Sequence, residues 1–198
     1  MMHRIEKGKE SMTQLPTLRV TIDADTELWT TEERDIPAIF ALTDANRPYL
    51  RRWLPWVDGT HSIEDTAAFV RTLQVQRAGN LGFGCVIRYK GQIAGTISYH
   101  PINWTNRSVE IGYWLGESFQ GKGLMTKACK AMAAYAFDEL HLNKVEIRCA
   151  TGNIQSCAVP QRLGFTFEGV VRQGEWLYDH YVDLKLFGML ASEWRTLS

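Results

Sequence analysis

The stretch from Trp114 to Thr126 constrains the fold most, because a strand end, a glycine-rich turn and a helix start follow one another directly. Residues 108–115 alternate apolar and polar side chains, as a half-buried strand does. After Gly123 the apolar residues recur at the spacing of one buried helix face, namely at Leu124, Ala128, Ala131, Met132, Tyr135 and Ala136. Glycines let the backbone approach a ligand, and the first N–H groups of a helix favour an anion. The junction therefore predicts an anion-binding site, with phosphate as the expected ligand.

The remaining segments predict an α/β domain with a mixed sheet. Helices are expected from Thr31 through Thr43, from Ser62 to Gly79 and over Asn153–Leu163, and a loop with two tryptophans is expected over residues 46–59. The helix after Ser62 is expected to bury Ala67, Phe69, Val70 and Leu73. Strands are expected at Leu18–Ile22, Phe83–Tyr89, Gln92–Tyr99, Lys144–Cys149, Thr166–Val171, Glu175–Leu177 and Tyr181–Met189.

Length and charge narrow the class of protein. A chain of 198 residues favours one domain. We expect residues 1–14, which are polar and aperiodic, to be a disordered or tag-like extension, and residues 15–198 to form the domain. The 22 basic and 22 acidic residues give no net charge, so general nucleic-acid or membrane-surface binding is disfavoured. With no apolar run of about 18 residues and no signal-peptide pattern, we expect a cytoplasmic protein.

Cysteine and histidine spacing argues against a metal centre. Cys85, Cys129, Cys149 and Cys157 form no CxxC pair, and the five histidines form no HExxH motif. We therefore expect no structural zinc and no disulfide framework, with the thiols buried in a reduced compartment.

Two phosphate-binding motifs compete for the glycine turn. Residues 116–122 satisfy the Walker A pattern GxxxxGK[ST] up to its last position, where Gly123 replaces the hydroxyl residue that binds Mg²⁺. No apolar run ending in Asp supplies a Walker B carboxylate. Nucleotide hydrolysis is therefore disfavoured.

The second motif is Q/R-x-x-G-x-G/A, and Gln120-Gly-Lys-Gly-Leu-Met125 resembles this pyrophosphate loop of the GNAT acetyltransferases. Met125 departs from the final Gly/Ala and is similar to the RimJ/RimL branch, which acetylates N-terminal amines of ribosomal proteins. Three further blocks resemble the same family in the same order: the tryptophan loop Arg51-Arg-Trp-Leu-Pro-Trp-Val, the segment Asn153-Ile-Gln-Ser…Leu-Gly-Phe165, and the strand Phe167-Glu-Gly…Glu175.

The resemblance implies a GNAT fold, with a mixed, mostly antiparallel central sheet flanked by helices and a splayed strand pair that holds acetyl-CoA. The cofactor would lie between the strand ending near Leu115 and the strand 144–149, without a metal. The residues that the resemblance assigns to acetyl-CoA are Trp114, Leu115, Gln120, Gly121, Lys122, Gly123, Leu124, Met125, Thr126 and Asn153.

Direct transfer of acetyl to an amine needs a neutral nucleophile, a stabilised oxyanion and a proton for the departing thiolate. An N-terminal amine, with a pKa of about 7.7–8.0, is mostly protonated at neutral pH, so a carboxylate base is needed. Glu175 matches the base position of the family, and Glu110 is the alternative. The resemblance makes Ser156 the proton donor to sulfur, and it places the oxyanion donor at a backbone N–H near Tyr113 or Trp114, in a strand bulge.

The loop with two tryptophans supplies the candidate residues for the acceptor site. Trp53, Trp56 and Tyr49 are expected to line its mouth, where Arg51 and Arg52 would address a peptide carboxylate or RNA. The leading acceptor is the N-terminal α-amine of a protein, with a small amine such as a polyamine or an antibiotic as the alternative. A non-catalytic acyl-CoA-binding module is a third hypothesis, which the presence of both Ser156 and Glu175 disfavours. A homodimer is an option that the sequence leaves open.

Overall fold

The computed structural model describes residues 14–197, which form one open mixed sheet flanked by helices. The strands are β1 (Arg19–Thr21), β2 (Thr26–Thr30), β3 (Gly84–Tyr89), β4 (Gln92–Tyr99), β5 (Ser108–Leu115), β6 (Lys144–Ala150), β7 (Thr166–Leu177) and β8 (His180–Leu190). The helices are α1 (Ile36–Ala45), α2 (Arg47–Leu50), α3 (Ile63–Ala78), α4 (Leu124–Asp138), α5 (Ile154–Arg162) and α6 (Ala191–Leu197).

The sheet order is β1-β2-β3-β4-β5-β6-β8-β7, and β5 and β6 are its parallel neighbours. Their pairing extends only from Ser108↔Lys144 to Glu110↔Glu146. Beyond this point the two strands separate, while β5 stays paired with β4 and β6 with β8. The expected splayed strand pair is therefore confirmed, and it opens a gap in the middle of the sheet.

Helices cover the two faces of the sheet in different places. On one face, buried residues of α4 pack on the central strands and form the main core, which includes Ile111, Met132 and Ile147. On the other face, Ile39 of α1 and Val70 of α3 cluster with Val86 of β3. Beside α1 and α3, residues of β5, β6 and β8 on this face line a cavity.

The predicted start of α3 is confirmed in detail. Ser62 and Asp65 form a reciprocal capping box, in which Asp65 accepts hydrogen bonds from the backbone N–H groups of His61 and Ser62. The helix ends before Gly79, as its glycine predicts. Phe69, however, was wrongly expected to be buried: its side chain is 41 % exposed, because it faces the cavity beside α3.

Several element boundaries differ from the expectations. The helix expected after Thr31 begins with a 3₁₀ turn at Glu33–Asp35 before α1, and the loop 46–59 contains the single turn α2. β2 was not predicted, and Thr166–Leu177 is one strand whose register is broken between Val171 and Glu175. The expectation for residues 1–14 falls outside the described residues, apart from Gln14.

Candidate active site

Two cavities meet where β5 and β6 separate. The first, of about 610 Å³, lies between the glycine turn, α4 and α5, and we name it the cofactor cavity. The second, of about 490 Å³, lies beside α1 and α3, and we name it the acceptor cavity. Both volumes are within the usual range for small-molecule sites. The residues that line both cavities are Trp53, Leu54, Tyr113, Trp114, Asn153 and Ser156.

The glycine turn forms one end of the cofactor cavity. Gly121 and Gly123 have φ values of 71° and 73°, in the left-handed region that favours glycine. Gly123 is the N-cap of α4 and has no side chain to accept a hydrogen bond from the first turn. The first N–H groups of α4 are therefore free for a ligand, and the helix dipole makes the position attractive to a pyrophosphate.

Nine of the ten residues assigned to acetyl-CoA line this cavity, and the exception is Lys122. The ammonium group of Lys122 donates to the Ser118 carbonyl at 2.5 Å. Two other cationic side chains, Lys127 and Arg162, line the cavity and were not predicted. Lys127 also pairs with Asp23 at 2.7 Å, and this hydrogen bond lowers the pKa of Asp23 to about 2.

The free edge of β5 provides backbone hydrogen-bonding groups to the gap. The His100 N–H donates to the Glu110 carbonyl, and the Gly116 N–H donates to the Ala94 carbonyl. Since backbone groups alternate in direction along an antiparallel strand, Glu110, Gly112 and Trp114 face β4. The backbone groups of Tyr113 and Leu115 therefore face the gap, where pantetheine amides would pair.

The same alternation refines the predicted oxyanion site. The pairing of β4 with β5 runs without a break from Gly95↔Leu115 to Tyr99↔Ile111. The bulge expected in β5 is thus absent from this ladder. Of the two predicted donors, Tyr113 has its N–H turned to the gap, whereas the N–H of Trp114 is turned to β4.

The aromatic loop, residues 46–60, closes both cavities. Its start is held to the glycine turn, because the Asn46 side chain accepts from the Glu117 N–H at 2.9 Å and Gln120 donates to the Tyr49 hydroxyl. Its middle is held to the β7–β8 turn by the Tyr178 hydroxyl, which donates to the Leu54 carbonyl at 2.5 Å. The loop is thereby fixed at the cofactor end and at the acceptor end.

The residues predicted for the acceptor mouth lie in this loop at different depths. Trp53 lines both cavities, and Trp56 lines the acceptor cavity. Tyr49 lines the cofactor cavity instead. Arg51 pairs with Asp58 at 2.9 Å and its guanidinium lies 3.9 Å from the Tyr178 ring centre, so it holds the loop.

The acceptor cavity has an apolar side and a charged side. Trp56 and Phe69 belong to the apolar side. The carboxylates, the arginine and the histidine that line the cavity are Asp65 of α3, His100 just after β4, Glu110 of β5, Arg148 of β6 and Glu175 of β7. Both predicted bases thus lie in one cavity.

The two glutamates have different surroundings. Glu110 pairs with Arg148 at 3.2 Å. Glu175 forms no ion pair within residues 14–197, and burial, followed by the nearby Glu110 charge, raises its pKa above the ordinary value. A carboxylate with a raised pKa is a stronger base, so the electrostatics favour Glu175 over Glu110 for proton removal.

Ser156 is placed by the start of α5. The Asn153 side chain caps this helix by accepting from the Ser156 N–H at 3.2 Å. The Ser156 hydroxyl lies at the junction of the two cavities and donates to the Tyr113 hydroxyl at 3.3 Å. A group at this junction can reach both the donor and the acceptor.

Sequence reasoning missed Lys127, Arg162, His100, Arg148 and the hydroxyl of Tyr113. Lys127 had a usable signal, because it lies one helical turn after Gly123. The other four depend on contacts between distant segments. His100, for example, packs so closely on Gly112 that a Cβ at Gly112 would lie 2.7 Å from its ring nitrogen.

The described residues give no sign of a metal centre: no group of three or more His, Cys, Asp or Glu residues could hold an ion. Cys85, Cys129, Cys149 and Cys157 are free thiols, and all four are buried. Among residues 14–197, no helix is both long and apolar enough to span a bilayer.

Comparisons with known proteins agree with this geometry. A putative ribosomal N-acetyltransferase of Bacillus subtilis, YdaF, is 36% identical over 164 residues, which cover 82% of this chain and 90% of the relative. The ribosomal-protein-serine acetyltransferase of Escherichia coli is 30% identical over 175 residues, which cover 88% of this chain and 97% of the relative.

Solved structures give the same result. RimL, a ribosomal L7/L12 α-N-protein acetyltransferase solved with coenzyme A, superposes with a TM-score of 0.85 at 28% identity, covering 89% of this chain and 99% of RimL. The family description that matches residues 27–166 is "Acetyltransferase (GNAT) domain". The chain therefore belongs to the GNAT acetyltransferase family and is an acetyl-CoA-dependent N-acetyltransferase.

Proposed function

We propose that the enzyme transfers acetyl from acetyl-CoA to the N-terminal α-amine of a ribosomal protein, by direct attack while both substrates are bound. The observation that carries the proposal is the junction of the cofactor cavity with the acceptor cavity at Tyr113 and Ser156. A thioester held at this junction lies next to the carboxylates of the acceptor cavity. Direct transfer therefore needs no covalent acyl-enzyme.

Glu175 is the proposed base. Its raised pKa suits it to take a proton from an ammonium or amine in the acceptor cavity. Glu110, the carboxylate that pairs with Arg148, is proposed to attract the ammonium group before the proton leaves. This division gives each glutamate of the cavity a separate task.

The amine then attacks the acetyl carbonyl carbon, and the N–H of Tyr113 is the proposed donor to the oxyanion. When the carbon–sulfur bond breaks, Ser156 gives its hydroxyl proton to the sulfur. From the ammonium form, two protons leave the nitrogen: Glu175 takes the first before attack, passes it to solvent, and takes the second from the positively charged nitrogen of the tetrahedral intermediate. Ser156 regains a proton from solvent after donating its own to the sulfur. The products are an acetylated amine, coenzyme A and one proton released to solvent for each ammonium consumed, with no net change in protons on the enzyme.

The protein acceptor is proposed from the relatives. Two relatives that cover more than four fifths of this chain are named a putative ribosomal N-acetyltransferase and a ribosomal-protein-serine acetyltransferase, and one solved structure from Salmonella typhimurium is described as modifying the N-terminal serine of L7/L12. A ribosomal acceptor would place the enzyme in the cytoplasm. Because Arg51 is already paired with Asp58, the proposal requires no RNA contact from this arginine.

A polyamine is the second candidate. Spermidine N(1)-acetyltransferase of Escherichia coli is 32% identical, but only over 84 residues that cover 42% of this chain. Asp65, Glu110 and Glu175 of the acceptor cavity could hold a second ammonium group. These three carboxylates are the observation that favours a polyamine as the second candidate acceptor.

Release of coenzyme A, followed with a thiol reagent, separates the two acceptors. The acceptors to compare are peptides with the N-terminal sequences of ribosomal proteins, the same peptides with blocked N-termini, and spermidine. We expect the free peptides to give a kcat/KM at least tenfold above the blocked peptides and spermidine. A higher kcat/KM for spermidine would assign the enzyme to small amines instead.

A further inference from the structure

A proline in α5 leaves a backbone carbonyl next to the reaction centre without its helical partner. Pro160 has no N–H, so the carbonyl of Ser156, four residues earlier, cannot accept the usual hydrogen bond. The Tyr113 hydroxyl of β5 fills this position by donating to the Ser156 carbonyl at 3.1 Å. The proline thus makes a place for a phenol from another element.

The same phenol controls the Ser156 side chain. Because the proton of Tyr113 is directed to the carbonyl, its oxygen is free to accept, and the Ser156 hydroxyl donates to it at 3.3 Å. One residue therefore bonds both the backbone and the side chain of Ser156. This fixes the serine oxygen at the junction of the two cavities.

We infer that Tyr113 is a positioning residue for departure of the thiolate, acting through Ser156. As the carbon–sulfur bond breaks, Ser156 turns its proton from Tyr113 to the sulfur. Tyr113 then turns its own O–H from the Ser156 carbonyl to the serine oxygen, and this hydrogen bond makes Ser156 a better donor. The inference rests on the proton-donor role proposed above for Ser156.

Tyr113 keeps its proton throughout this rearrangement. Burial raises the pKa of its phenol well above the ordinary value, so a phenolate is strongly disfavoured. The neighbouring Cys149 thiol is also neutral, because burial raises its pKa to about 12. The only proton that leaves Ser156 goes to the sulfur, and only the directions of the Tyr113 hydrogen bonds change.

The test is a double-mutant cycle of Tyr113→Phe and Ser156→Ala, measured in single turnover so that product release does not mask the chemical step. Loss of one neutral hydrogen bond corresponds to about a three- to tenfold fall in rate. We expect Tyr113→Phe to lower the rate by this factor with the KM for acetyl-CoA within twofold, because the ring is kept. In the Ser156→Ala background the same change should alter the rate less than twofold.

Tyr99→Phe is the matched control. The Tyr99 hydroxyl is buried and donates to the Met132 carbonyl, away from both cavities. Its loss should lower the melting temperature and leave the rate unchanged. A merely structural role for Tyr113 would give the same pattern as this control.

The outcomes separate the two proposals. If Tyr113→Phe lowers the rate equally in the parent and in the Ser156→Ala background, Tyr113 does not act through the serine and the inference is wrong. If Ser156→Ala alone leaves the rate unchanged, Ser156 is not the proton donor, and the inference about Tyr113, which rests on that role, is wrong as well.

If the Tyr113→Phe variant does not fold, Pro160→Ala can be used to test the same inference. It returns an N–H to compete for the Ser156 carbonyl, and we expect about a threefold fall in rate that disappears in the Ser156→Ala background. An unchanged rate would overturn the inference.

Discussion

Gly123→Ala tests whether the backbone of the glycine turn holds the cofactor. Gly123 has φ 73°, and a Cβ there would meet only the Lys127 side chain at 4.0 Å, so the substitution has room but an unfavourable backbone conformation. The left-handed conformation costs a residue other than glycine about 1–2 kcal/mol. For a domain of this size, that cost corresponds to a fall of roughly 2–8 °C in melting temperature.

The backbone strain of Gly123→Ala is also expected to weaken the binding of coenzyme A. If the turn relaxes to relieve the strain, the first N–H groups of α4 move away from the pyrophosphate. The affinity for coenzyme A then falls by up to about 5–30-fold, the equivalent of 1–2 kcal/mol. Calorimetric titration and thermal unfolding of the same samples measure both effects.

Gly59→Ala is the control for this substitution. A Cβ at Gly59 meets nothing within 4 Å, and the residue lies in the 3₁₀ turn Val57–Gly59 with an ordinary helical backbone. Its melting temperature and coenzyme A affinity should stay close to those of the parent. If Gly123→Ala behaves like Gly59→Ala in both measurements, the turn does not hold the cofactor through its backbone.

Three further predictions concern charged groups. Glu175→Gln should lower kcat about 10²–10⁴-fold in steady-state assays, and a change below threefold would transfer the base role to Glu110. Arg148→Met should move the acidic limb of the kcat/KM pH profile to higher pH. Glu175 must be deprotonated to act as the base, and the nearby Glu110 charge already raises the pKa of Glu175. Loss of Arg148 removes the ion-pair partner of Glu110, so the effect of the Glu110 charge on Glu175 should increase. A limb that moves to lower pH, or not at all, would refute this coupling. Lys127→Met should raise the KM for acetyl-CoA several-fold more than Lys122→Met, because only Lys127 lines the cofactor cavity; the reverse order would contradict the assignment.

The sequence predicts the parts of this fold that depend on local pattern. β5 has the predicted bounds Ser108–Leu115, and α4 begins after Gly123, because alternation, helical spacing and glycine are all readable along the chain. β2 was missed for a physical reason. Two of its three buried residues are Thr26 and Thr30, so the sequence shows no alternation of apolar with polar side chains there. The Thr30 hydroxyl is buried there because it accepts from the Leu18 N–H at 2.7 Å.

The candidate site likewise has one part that depends on local sequence and one part that depends on contacts between distant segments. The cofactor turn is one contiguous motif, so its residues could be predicted together. The acceptor cavity draws on α3, β4, β5, β6 and β7, and no local pattern shows that Arg148 lies beside Glu110. The contact between Tyr113 and Ser156 joins residues 43 positions apart, so no local pattern indicates it.

The most direct test of the central claim is to locate the acetyl group by fragment-ion mass spectrometry after reaction with acetyl-CoA. The acceptor is a peptide with a ribosomal-protein N-terminus that also contains an internal lysine. We predict a mass gain of one acetyl group on the first residue, and none on the lysine or on the N-terminally blocked peptide. Acetyl on the lysine, or no product from a protein that binds coenzyme A, would contradict N-terminal acetylation as the function.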